Sequence, residues 1–211
     1  MRYGICNLSI VPLRLEASDS SEMVSQVLFG EHFKILDHKK KWSKIRLHFD
    51  GYEGFIDNKQ YLETTEDSYN ELSRSNNAIA GELIDFITDE NGNLTTIPLG
   101  ATLPFYKDVN FQIENTTYQY EGNVYNQKLK KEELLKTAFL YMNTPCLWGG
   151  KTPFGIDCSG FTQMVYKLCG HQLLRDAKQQ ATQGEVLSFS GIYNIDTKKH
   201  THKLRVIKKI I

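Results

Sequence analysis

Over residues 1–65 apolar and polar positions alternate in short runs separated by turn residues. Phe33 and Ile35 are flanked by polar neighbours, as are Ile45, Leu47 and Phe49, which is the two-residue period of half-buried strands. Asp50-Gly51 supplies the residue pair of a tight turn leading into Tyr52-Glu53-Gly54-Phe55-Ile56. This pattern predicts a small β-barrel. Residues 62–77 are polar and read as a connecting segment with helical potential. The stretch 78–125 then repeats the first grammar. Gly30-x-x-Phe33-x-Ile35 is echoed by Gly100-x-x-Leu103-x-Phe105, and Tyr52-Glu53-Gly54 by Tyr120-Glu121-Gly122, at offsets of 70 and 68 residues. Those echoes predict a second copy of the same barrel.

From Lys128 the period lengthens. Leu129, Leu134, Leu135, Ala138 and Leu140 with Lys and Glu between them predict an amphipathic helix that ends before Asn143-Thr144-Pro145. A glycine-rich loop, Trp148-Gly149-Gly150-Lys151-Thr152-Pro153-Phe154-Gly155, leads to a second helix. It opens at Cys158, carries Phe161, Val165 and Leu168 at helical spacing, and closes at Cys169-Gly170. After it 41 residues remain, with Leu204–Ile207 reading as a strand.

Composition excludes several classes. The 211 residues balance 25 Lys and Arg against 25 Asp and Glu, so charge offers no general attraction to nucleic acid or anionic lipid. No apolar run reaches the ~18 residues needed to span a bilayer. The first residues lack the pattern of a secretory signal, which together with four scattered cysteines predicts a reduced, cytoplasmic protein. Cys6, Cys146, Cys158 and Cys169 have neither disulfide-framework nor zinc-site spacing, and no metal or other cofactor is expected. Cys6 and Cys169 read as core. Lys151-Thr152 after two glycines lacks the spacing of a phosphate loop.

Cys158 stands out chemically. Asp157 can cap the helix that Cys158 opens, and unpaired amides in a first helical turn stabilise a thiolate. The glycines before it allow another backbone or a peptide to approach closely.

Those residues carry a resemblance. Trp148-Gly149-Gly150 followed by Gly155-Ile156-Asp157-Cys158-Ser159-Gly160-Phe161 resembles the signature of the NlpC/P60 cysteine peptidases. Leu174-Arg175-Asp176 with Gln179-Gln180 is similar to the family's segment after the nucleophile helix. The two β repeats resemble bacterial SH3-like domains, which often precede this module. The implied fold is multidomain β plus α+β. It comprises SH3-like domains at 1–65 and 66–127, then a papain-like NlpC/P60 domain with an incomplete sheet at 128–211.

The resemblance implies a murein-peptide hydrolase that cuts after γ-D-glutamate through a thioester on Cys158. Asp157 and Ser159 would contact the free α-amine of an N-terminal L-Ala. Trp148 and an aromatic residue of the first domain, Tyr52 among Tyr3, Tyr52 and Tyr61, would line the substrate. The implied partner is L-Ala-γ-D-Glu linked to diaminopimelate or Lys, with neither nucleic acid nor membrane involved. Two departures stand against this pattern. Cys146 occupies the oxyanion-side position where the family has a tyrosine. The segment that carries the family's base histidine is not found. His171 reads as a helix-end residue, and His200 and His202, the remaining base candidates, match the family's C-terminal strand. The alternative is a catalytically dead homologue that binds murein peptides or cell wall.

Overall fold

The computed structural model describes residues 1–130 and 132–184. The first module is a seven-stranded antiparallel sheet. Its strands are β1 (Arg2–Ile5), β2 (Ile10–Arg14), β3 (Met23–Leu28), β4 (His32–His38), β5 (Trp42–Leu47), β6 (Glu53–Asp57) and β7 (Leu62–Thr64), in the order β3-β2-β6-β5-β4-β1-β7. Alternation does what it predicts here. Phe33 pairs with Leu47 and Ile35 with Ile45, all four buried, while Lys34 opposes Arg46 on the other face. At the predicted turn Gly51 has φ +71° and the Asp50 carboxylate accepts from the Tyr52 amide at 2.9 Å. Cys6, just beyond β1, is buried in this core as expected.

The segment from residue 62 to 77 is more than a connector. Its start is β7, which pairs with β1. It continues as α1 (Glu66–Arg74), capped by Thr65. Tyr69 of α1 packs on Tyr3 at 4.6 Å, whereas Leu72 enters the core of the following module.

That second β module contains β8 (Ala78–Ala80), β9 (Ile84–Asp89), β10 (Leu94–Pro98), β11 (Thr102–Leu103), β12 (Asn110–Ile113), β13 (Thr116–Gln119) and β14 (Val124–Tyr125). Five antiparallel pairings of the first module recur in order. β2–β3 corresponds to β9–β10, β2–β6 to β9–β13, β5–β6 to β12–β13, β1–β4 to β8–β11 and β1–β7 to β8–β14. The β4–β5 ladder has no strand counterpart among the described residues, and the module divides there into two sheets. Phe105, Asp108 and Val109 all have left-handed φ, so the chain leaves the extended path directly after β11.

The sequence echoes are right at one place and misleading at another. Gly30 and Gly100 occupy equivalent turns with φ +77° and +89°. Phe105, however, is exposed and outside any strand. Tyr52-Glu53-Gly54 leads into β6, while Tyr120-Glu121-Gly122 follows β13, so the shared letters lie at opposite ends of corresponding strands.

The third module holds α2 (Glu133–Phe139), the hairpin β15 (Lys151–Thr152) and β16 (Gly155–Ile156), α3 (Cys158–Leu168) and α4 (Ala177–Thr182). The helix predicted from Lys128 begins at Glu133 instead. The Leu129 amide donates to Cys169 O at 3.2 Å, so this stretch closes the end of α3 rather than starting a helix. Gly170, with φ +75°, ends α3 as predicted. Its amide donates to Lys167 O and that of His171 to Tyr166 O, the bond pair of a Schellman cap. Cys169 is core, against Thr137. The expected strand at 204–207 lies outside the described residues.

The modules share side chains where they meet. Ile5 and Phe29 of the first module join the second core, and Leu28 and Leu99 join the third. The turn glycines make this possible. A Cβ on Gly30 would lie 2.0 Å from Thr102 O, and one on Gly100 would lie 2.1 Å from Met164 Cε.

Candidate active site

Cys158 is exposed at the first position of α3. Asp157 before it is extended and caps the helix, accepting from the Gly160 amide at 2.6 Å. Its other oxygen accepts from the Gly149 amide at 2.8 Å, which ties the glycine loop to the helix start. Three glycines permit that compaction. Gly149, with φ +76°, lies against Met23 O of β3; Gly150 lies against Gly155 O; and Gly160 lies against Gly150 O. A Cβ at each would come within 2.3 Å of those oxygens. The close approach expected of this loop is thus made by backbone.

The Asp157 carboxylate also receives Arg175, through Nη1 at 3.1 Å and Nη2 at 2.6 Å. Arg175 is 1% exposed, and its remaining donors go to Ser159 Oγ at 2.9 Å and to Ser25 Oγ of β3 at 3.0 Å. Ser159 in turn donates to Asp157 Oδ1. Burial pushes the Asp157 carboxyl up, but Arg175 and the two amides outweigh it and hold it below the ordinary range. The two residues assigned to the substrate amine are therefore both engaged by one buried guanidinium. Arg175 lies in the Leu174-Arg175-Asp176 stretch that resembles the family, which by itself assigns it no role. Nothing in local spacing shows that it folds back onto a carboxylate at the far end of α3.

The first module walls the site. Tyr52 is half-buried and its hydroxyl donates to Asp176 Oδ1 at 3.1 Å. Burial, with Asp176 adding to it, pushes this phenol up to about 12. The two other aromatics considered for this place turn elsewhere: Tyr3 donates to Glu66 and Tyr61 bonds Ser43. Trp148 is 70% exposed, its indole donating to Glu22 Oε1 at 2.6 Å. Cys146 is exposed and forms a parallel bridge with Ile156, two residues before Cys158.

A second buried network lies behind the site. Glu31 pairs with Lys167 at 2.7 Å and Lys151 at 3.3 Å, every partner nearly devoid of solvent. Burial pushes Glu31 up, and the two ammonium groups override it, holding it at about 2. Lys167 is lowered, because burial and repulsion from Lys151 exceed its share of the one carboxylate. The opposed preferences follow from two cations sharing one anion. Gln163 of α3 reaches Asp50 at 2.8 Å. Lys151 is thus a structural cation, in keeping with rejection of a phosphate loop.

The four histidines within the described residues stand away from Cys158. His32 stacks on His48 at 4.5 Å, His38 bonds Ser43, and His171 follows the C-terminal end of α3. His200 and His202 lie outside the described residues. Among the described residues no group of three or more His, Cys, Asp or Glu side chains could hold a metal ion.

Comparison with known proteins agrees with this architecture. Residues 13–60 match the bacterial dipeptidyl-peptidase Sh3 domain and residues 143–204 match the NlpC/P60 family. A gamma-D-glutamyl-L-lysine dipeptidyl-peptidase from Bacillus subtilis (strain 168) is 29% identical over 200 residues, covering 87% of this chain and 62% of that protein. One of the same name from Bacillus cereus (strain ATCC 10987 / NRS 248) is 23% identical over 198 residues, covering 81% and 58%. The chain therefore spans less than two thirds of either relative. The crystal structure of an NlpC/P60 family protein from Bacillus cereus ATCC 10987 aligns with a TM-score of 0.75 at 18% identity, covering 89% of this chain and 79% of that one. At that identity the likeness is one of fold.

Proposed function

For a chain that carries an NlpC/P60 segment behind a bacterial dipeptidyl-peptidase SH3 domain, we propose the function of a cysteine peptidase that cuts after γ-D-glutamate in murein peptides with a free N-terminal L-Ala. The observation that carries this reading is an exposed Cys158 in the first turn of a helix whose cap is held by two backbone amides and a buried arginine. The thiolate attacks the γ-glutamyl carbonyl, the leaving amine departs, and water hydrolyses the thioester. The second β module is proposed to be another SH3-like domain, supported by the five recurring strand pairings. Domain limits of 1–65, 66–127 and 128–211 are proposed with it.

At the amine end Asp157 is already neutralised by Arg175, so an incoming ammonium finds little net charge there. Asp176 is the better anion. It is partly exposed, adjacent to Arg175 in sequence, and bonded to Tyr52. We assign the free amine to the Tyr52–Asp176 corner, with Asp157 and Ser159 shaping its floor. We assign Trp148, whose indole donates to Glu22, to the rim of the same cleft.

A second reading, peptide binding without turnover, is favoured by the histidines. His171 cannot serve as base, because it lies past the C-terminal end of α3, and the ten steps from Cys158 to Leu168 already rise about 15 Å. If turnover occurs, none of the described histidines is its base; His200 and His202 are the candidates this sequence offers. Cys146 also donates more weakly than a phenol would, and losing one oxyanion donor costs about 2.7–4 kcal/mol of transition-state stabilisation. The test is incubation with L-Ala-γ-D-Glu-diaminopimelate or its lysine analogue beside a Cys158→Ala control, with dipeptide release followed by mass spectrometry. Release by the parent alone supports the peptidase. Saturable binding with no release from either protein supports the second reading.

A further inference from the structure

Two cysteines face solvent, Cys146 and Cys158, and two are buried. Burial pushes the Cys6 thiol up to about 12 and raises Cys169 as well, so burial disfavours the thiolate of both. The exposed pair lies on adjoining extended segments. The Ile156 amide donates to Pro145 O at 3.0 Å and Ile156 O accepts from the Leu147 amide at 3.2 Å, setting Cys146 opposite Ile156. Asp157 is extended (φ −93°, ψ 170°), so the strand alternation carries on to Cys158, two residues past Ile156 and on the same side.

With parallel strands about 4.8 Å apart and a rise of about 3.3 Å per residue, residues offset by two lie about 8 Å apart between Cα atoms, and a disulfide takes about 4.4–6.8 Å. Closing the pair thus asks a shift of about 2–3 Å to reach the commonest disulfide separation. The exposed segment from Pro145 to Trp148 has a left-handed residue just before it, Asn143 at φ +66°, and Gly149 at φ +76° just after.

We propose that Cys146 is a resolving thiol for Cys158, making the pair a reversible oxidation site. A peroxide accepts the attack of the Cys158 thiolate, leaving a sulfenic acid on sulfur and releasing the peroxide's other oxygen as water or alcohol. The Cys146 thiol then displaces hydroxide from that sulfur; its proton leaves with the hydroxide as water, and an S–S bond remains. A dithiol reductant restores both thiols. Without a resolving partner a sulfenic acid proceeds to sulfinic and sulfonic acids, which a dithiol does not reverse. A cysteine does here what a tyrosine at the same position could not. The disulfide stands independently of any catalytic role for Cys158; its effect as an off-switch rests on the peptidase reading.

The test treats the full reduced chain with hydrogen peroxide, alkylates remaining thiols, digests without reduction and weighs the peptides. The expected product is a monomer two hydrogens lighter, with the Cys146 and Cys158 peptides joined and separated again by dithiothreitol. In Cys146→Ser, Cys158 gains two or three oxygens that dithiothreitol leaves in place; the parent accumulates them more slowly, because the disulfide forms first. Equal over-oxidation of Cys158 in both proteins, or disulfides between chains in place of the internal one, overturns the proposal. Peptide cleavage is measured on the same samples. A chain that forms the disulfide but never cleaves sinks the peptidase reading and leaves this one standing.

Discussion

Replacing Arg175 by methionine tests whether the site is held by charge or by packing. Methionine keeps most of the aliphatic volume and removes the guanidinium, which donates four hydrogen bonds: one to Ser25, one to Ser159 and two to Asp157. Asp157 retains its two backbone amides and 13% side-chain exposure, so it is not orphaned completely. Removing one partner of a buried ion pair costs about 3–5 kcal/mol. The residual partners place the expected loss near the lower end. For a chain of this size about 3 kcal/mol lowers the melting temperature by roughly 6–12 °C. The charge-specific part is isolated by a double-mutant cycle with Asp157→Asn, followed by thermal melts of all four proteins. A coupling of about 1–3 kcal/mol between the two positions is expected, since they share a hydrogen-bond network. Arg175→Lys keeps the charge but not the planar fork and falls between the parent and methionine. If methionine costs under about 1 kcal/mol, or the two single effects simply add, the pair is not what anchors the helix start.

Glu31→Gln removes the carboxylate that Lys151 and Lys167 share in the interior, so a loss of at least about 3 kcal/mol in urea unfolding is expected, larger than for Glu53→Gln on the exposed face. Acid destabilises the fold in two windows. Burial and the adjoining His48 hold His32 at about 3 against an ordinary 6.5, so the unfolded chain binds more protons in between and stability falls as pH drops through that range, by about 4 kcal/mol between pH 7 and 3. Glu31, held at about 2, extends the loss below pH 4.5. Melting temperatures from pH 7 to 3 should decline accordingly, and His32→Asn should flatten the upper part of the decline. Gly51→Ala and Gly30→Ala separate strain from close approach. Both positions have left-handed φ, but a Cβ at Gly51 meets nothing within 4 Å while one at Gly30 strikes backbone. The first should cost about 1–2 kcal/mol and the second visibly more by chemical denaturation.

Much of the candidate site was legible because it is local. Asp157, Cys158 and Ser159 are consecutive, and a capping carboxylate followed by a helical stripe needs no distant partner to be recognised. The same holds for Gly170, whose left-handed cap depends on its own backbone and the preceding turn. Reading failed where a residue's role comes from elsewhere in the chain. Leu129 fits a helical stripe, yet its amide closes α3, so tertiary pairing overrode local propensity. Phe105 matched an apolar echo and lies exposed, because three left-handed residues divert the chain there.

The sequence by itself determined the strand alternation of residues 33–47, the turn at Asp50-Gly51, the start and end of α3 and the place of a cysteine in its first turn. Each follows from side-chain period, capping or glycine conformation acting within a few residues. Tertiary structure alone decided that Arg175 returns to Asp157 and Ser25, that Tyr52 rather than Tyr3 or Tyr61 meets the third module, and that Glu31 gathers two lysines. A buried charge must find its counter-charge before it can leave water, and that partner can come from any point along the chain.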